Sequence, residues 1–158
     1  MKEATIRDFF LGATPPARLG AEAHEAVEPV GRSSRRVHIE DLPPGEEVTV
    51  TPDMLVRLCD AALAEALPPS ALETVAFAIV ASDHFRWDED EPLVGRVLYD
   101  WASPEINFEL TPANLRMFRE WLTGKVQPPS EPDVSDDTLS ELGFPRRTSK
   151  VRVVPGTS

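Results

Sequence analysis

The chain has 158 residues, a formal net charge of −11 and 41% hydrophobic residues, enough for one core but too few for every residue to pack into it. An acid excess of this size disfavours nonspecific binding to DNA, RNA or anionic lipid, because phosphate attracts cationic surface, and points instead to basic partners. No apolar run approaches the ~20 residues that cross a bilayer, and the opening MKEATIRDFF lacks the charged-then-apolar pattern of a signal peptide, so a soluble cytoplasmic protein is expected.

The charge is unevenly spread. Residues 1–36 carry six basic and five acidic side chains and residues 125–158 five of each, whereas residues 37–124 hold 17 acids against five arginines. The acidity therefore belongs to the segment with the strongest folding signals. The 16 prolines cluster as pairs such as Pro15-Pro16, Pro43-Pro44 and Pro68-Pro69, which mark boundaries between elements. The single cysteine, Cys59, sits in an apolar helical stripe and reads as a small buried hydrophobe.

In chain order, Ile6, Phe9 and Phe10 follow helical spacing and predict a short amphipathic helix over residues 4–11, stopped by Gly12. A second short helix is expected over 17–28, with Leu19, Ala23, Ala26 and Val27 on one side and Gly20 weakening it. Residues 29–47 read as a loop with one extended piece around Val37 to Ile39. Thr51-Pro52-Asp53 supplies a cap, a first-turn proline and an acid at the positive end of the dipole, which predicts a helix from there to about Ala66. Ser70 and Glu73 have capping-box spacing ahead of the stripe Leu72, Val75, Ala76, Ile79 and Val80. Pro92 opens a helix bearing Val94, Val97, Leu98 and Trp101, and Thr111-Pro112 opens another bearing Leu115, Phe118, Trp121 and Leu122.

These elements predict a mainly α fold, an antiparallel bundle of four to six helices. It would comprise an acidic helical domain over 1–126, with short N-terminal helices to residue 36, a loop over 37–50 and its best-defined part over 51–126. A flexible tail is expected over 127–158, with a two-turn helix at Ser135 to Leu142.

The densest chemistry lies in Ser82 to Glu91, SDHFRWDEDE, where Asp83, His84, Trp87, Asp88, Glu89, Asp90 and Glu91 crowd into ten residues. A calcium loop would need further alternating donors, a central glycine and a distal glutamate, and Pro92 interrupts that register. For zinc, His84 has no second histidine three or four residues away, and His24 and His38 lie in the N-terminal third. Acids adjacent in one solvated loop share an environment and are not driven apart in pKa, as paired-carboxylate catalysis requires. Glycine-rich phosphate loops, dinucleotide fingerprints and nucleophile elbows are absent from the sequence. No catalytic residue, cofactor or metal is therefore expected.

A partner surface fits better. Aromatic residues anchor interfaces and complementary charge steers encounter. The candidate surface combines Asp83, His84, Trp87 and Asp88 to Glu91 with Asp100, Glu105 and Glu109. Trp101 falls on an apolar stripe and belongs to the core, whereas Trp87, set among charges, has the better claim to exposure. The competing reading is a hydrated turn between helices, with Phe85 and Trp87 plugging the end of the bundle.

A short helix ending in Phe9-Phe10-Leu11-Gly12, a second after a Thr-Pro turn, an acidic helical body and acid-aromatic loops together resemble small bacterial immunity proteins, the helical colicin D immunity type above all. The likeness is one of lengths and charges and spans about residues 4–124, with the 29–47 loop and the tail departing from it. It implies a non-catalytic inhibitor whose acidic side chains occupy the cleft, or a neighbouring surface, of a basic nuclease toxin in the same cell. The alternatives are an adaptor or structural subunit docking a basic component of a larger assembly, and a hydrolase using Asp and His groups.

Overall fold

The computed structural model describes residues 1–130; the expected helix at Ser135 to Leu142 and almost all of the expected tail lie outside them. Six helices account for 51% of the described residues: α1 (Glu3–Phe10), α2 (Pro16–Ala26), α3 (Pro52–Leu63), α4 (Pro69–Ala81), α5 (Pro92–Ala102) and α6 (Pro112–Leu122). From α2 onward every helix begins on a proline. The first helical N–H has no partner within the helix, so proline loses nothing there and its fixed φ favours the turn. Thr51 Oγ1 accepts the Met54 N–H at 3.4 Å and Thr111 Oγ1 that of Asn114 at 3.2 Å, as the two Thr-Pro starts predict.

Three helix boundaries differ from expectation. Helix α2 ends at Ala26 rather than at residue 28, because Val27 and Glu28 enter a strand. The capping box at Ser70 does not form: α4 starts two residues earlier than a Ser70 cap would place it, at Pro69, and Glu73 reaches across to Arg35 at 2.9 Å. Helix α3 stops at Leu63 rather than about Ala66, because Glu65 takes a left-handed backbone (φ 61°) and the Ala66 and Leu67 N–H groups fold back onto the Ala61 carbonyl.

Small sheets replace what reads as loop. The strands β1 (Val27–Val30) and β2 (Ser34–Val37) form an antiparallel hairpin pairing Val27 with Val37, turned through Gly31 at φ +70°. The strands β3 (Val48–Thr49) and β4 (Phe85–Arg86) pair in parallel, Val48 opposite Phe85, with the Val48 N–H on the His84 carbonyl at 2.8 Å. A further parallel bridge joins Lys2 to Glu40. The molecule is thus mainly helical with two two-stranded sheets, rather than a plain bundle.

Helix α4 is the centre. Ala71, Thr74 and Ala78 are buried as well as the expected stripe, so it is covered nearly all round, with α5 packed on one side and α2 on another. Helix α3 packs against α6. The N-terminal helices share this core, since Ile6, Phe9, Phe10, Leu19 and Ala23 join one cluster that runs to Leu122. Arg57 ties α1 down by donating to the Phe10 carbonyl at 2.7 Å. Trp101, Phe118, Trp121 and Phe108 form an aromatic seam of edge-on pairs, Trp101 meeting Phe118 at 5.9 Å and 87°.

Candidate functional site

The α4–α5 connector sorts its side chains by strand alternation. Successive side chains of an extended segment point to opposite faces. Phe85 and Trp87 accordingly turn inward and are buried, while His84 and Arg86 share the other side and are half-buried. The expectation that Trp87 is exposed is therefore corrected: only 7% of it remains accessible. Its indole lies against α5 at Gly95, where a Cβ would fall 2.8 Å from Nε1, so the missing side chain creates the seat for the ring. Past Trp87 the chain turns outward: Asp88 Oδ1 accepts the Asp90 N–H at 2.9 Å and the Asp88 carbonyl accepts the Glu91 N–H at 3.0 Å. Asp88, Glu89, Asp90 and Glu91 are all exposed, as is Asp83. None of these five forms an ion pair among the described residues, whereas Glu46, Glu47 and Asp60 each meet an arginine.

The remaining acids do not join this group. Asp100 is half-buried on α5, and Glu105 and Glu109 are exposed beyond the C-terminal end of that helix. The 11 residues of α5 span about 16 Å, and Glu105 lines a cleft of about 240 Å³ with Arg35, Glu73 and Phe77, near the start of α4. Glu105 thus lies at the other end of the α4–α5 pair from the 88–91 acids, and the residues expected to form one acidic surface do not make one.

His84 belongs to a third place. The β3–β4 pairing and the Lys2–Glu40 bridge bring three distant segments together, and there Glu3, Asp41 and His84 place carboxylate oxygens and an imidazole nitrogen within 4.8 Å of one another. Glu3 is fully buried at the first residue of α1. Its Oε1 accepts the Leu42 N–H at 2.8 Å and faces His84 Nδ1 at 2.9 Å. A carboxylate oxygen can only accept, so an ionised Glu3 takes this bond from the Nδ1–H form of the ring. The His84 N–H and the Phe85 N–H both reach Ser82 Oγ, which fixes the approach to the strand. Glu3 Oε2, equally buried, has no hydrogen-bond partner among the described residues. Asp41 is exposed at the mouth of the corner. Sequence spacing around His84 shows none of this, because both carboxylates come from elsewhere in the chain. One signal was available: Glu3 precedes Ile6 by three residues and Phe10 by seven, which sets an acid on the apolar face of α1.

Cys59 behaves as expected of a packed thiol. Its S–H donates to the Leu115 carbonyl at 3.0 Å, and burial, reinforced by the neighbouring Asp60 carboxylate, pushes its pKa up to about 12. A thiol so disposed is a poor nucleophile at neutral pH. Among the described residues no helix is long and apolar enough to cross a membrane. Comparison with family models, with curated proteins and with solved structures finds no match to the chain.

Proposed function

We propose that the chain is a non-catalytic acidic binding protein of the cytoplasm that neutralises or recruits a basic protein, in the manner of an immunity or antitoxin-type inhibitor of a toxin such as a nuclease. The observation that carries this reading is the 83–91 connector, which presents Asp83, Asp88, Glu89, Asp90 and Glu91 exposed and without ion pairs among the described residues. Closely spaced like charges repel each other, and a cationic partner relieves that repulsion as it docks. Within this reading the contact surface is the five acids; Trp87 serves beneath them as support, and Glu105 lies apart from them, near the start of α4.

The test is capture from the native host at low and high salt, with the charge-reversed variant Asp88→Lys, Glu89→Lys, Asp90→Lys run alongside. A basic protein retained by the wild type, released by salt and missed by the variant supports the proposal, since exposed charge pairs are screened. Equal capture of the same basic protein by both chains, or no basic partner at all, refutes it.

A further inference from the structure

We infer that Glu3, Asp41 and His84 form a binding site for one divalent transition-metal ion of the zinc class. The inference starts from an imbalance of charge in the corner between α1 and β4. A buried carboxylate keeps its charge at low cost only when both oxygens are served. Glu3 Oε1 has two partners, Leu42 N and His84 Nδ1, while Oε2 on the same fully buried side chain has none among the described residues. A second carboxylate, Asp41, stands within 4.8 Å, and neither acid forms an ion pair with a lysine or arginine among the described residues. The single imidazole balances at most one of the two negative charges. A divalent cation balances both and supplies the missing partner of Oε2.

The geometry suits such an ion. Ligand atoms about 2.0–2.1 Å from zinc stand about 3.4 Å from one another in a tetrahedron. The three donors lie within 4.8 Å of one another, so small side-chain adjustments bring them to that spacing. One nitrogen and two oxygen donors match zinc, manganese or iron(II) better than a thiolate-seeking metal or calcium. For Nδ1 to ligate, its proton leaves that atom, to Nε2 from the neutral tautomer or to solvent from the imidazolium, and in either case a neutral imidazole holds the ion. The Leu42 N–H remains on Oε1 and orients the carboxylate from behind, while exposed Asp41 leaves a route for the ion and room for water as a fourth ligand. Of the three ligands only His84 lies in the 83–91 connector, and none is among the five exposed acids of the proposed contact surface, so the metal site stands or falls separately from that reading.

Calorimetric titration of the EDTA-dialysed full chain with zinc alone tests it. One equivalent is expected to bind, with affinity at least tenfold weaker in Asp41→Asn and in His84→Gln, and unchanged in a His24→Gln, His38→Gln double variant. Asp41 is exposed, so its variant folds and keeps the test valid even if His84→Gln does not. Zinc at a hundredfold excess over Kd should raise the Tm of the wild type by about 5–10 °C. Absence of stoichiometric binding, wild-type affinity in Asp41→Asn, or loss of binding in the double variant would each overturn the assignment.

Discussion

Trp101 in the aromatic seam between α5 and α6 and Glu3 in the corner between α1 and β4 are both fully buried, and each carries a polar atom with no hydrogen-bond partner among the described residues. In the seam that atom is Trp101 Nε1, in the corner Glu3 Oε2. A neutral N–H left unmet costs ~1–3 kcal/mol, and the large ring around it recovers more through dispersion and edge-on contacts with Phe118. A carboxylate oxygen left unmet costs more, and no comparable apolar surface comes with it. The seam is thus built to hold the fold together, whereas the corner is built around a group that needs a ligand.

Mutations rank the two regions. Phe118→Ala, removing the ring that meets Trp101, Phe108 and Trp121, should cost ~3–5 kcal/mol by urea denaturation. Glu3→Ala should cost less, ~1–3 kcal/mol, because what it strands is chiefly the Leu42 N–H. The reverse order would break the contrast by making the corner the stronger support.

Cys59, packed from α3 against α6, sharpens it through pH. The folded thiol stays protonated to about 12 against 9.0 for a free one, so the unfolded chain loses its proton first as pH rises. Its contribution to stability is complete below pH 9 and is lost between 9 and about 12, at up to ~1.4 kcal/mol per pH unit. A Cys59→Ala variant should lack that component of the alkaline decline in denaturation curves. The smallest effect is expected at the surface: reversing Asp88, Glu89 and Asp90 to lysine should move stability by no more than about 0.5 kcal/mol while removing salt-sensitive partner capture.

What the sequence discloses follows how local the cause is. The starts of α3 and α6 are legible because Thr-Pro capping involves neighbours, and Trp101 is legible as core because helical spacing places it there. The β1–β2 hairpin escapes notice because most of its side chains are exposed on both faces, leaving no alternation to read. Trp87 is misjudged from its charged neighbours, although Phe85 two positions earlier offers the strand period that turns both rings inward. The corner is the least legible part: Glu3, Asp41 and His84 meet through backbone pairing between segments whose separation only the fold closes.

Gly95 has an effect that reaches beyond helix packing. By admitting the Trp87 indole, it anchors one end of the acidic turn, and Pro92 at the head of α5 anchors the other. The four acids between them are held in one arrangement, so under the proposed function association would surrender little chain entropy at that point. A methyl group at position 95 would displace the ring and loosen the turn, and under the proposed function it would weaken recognition without altering a single charge.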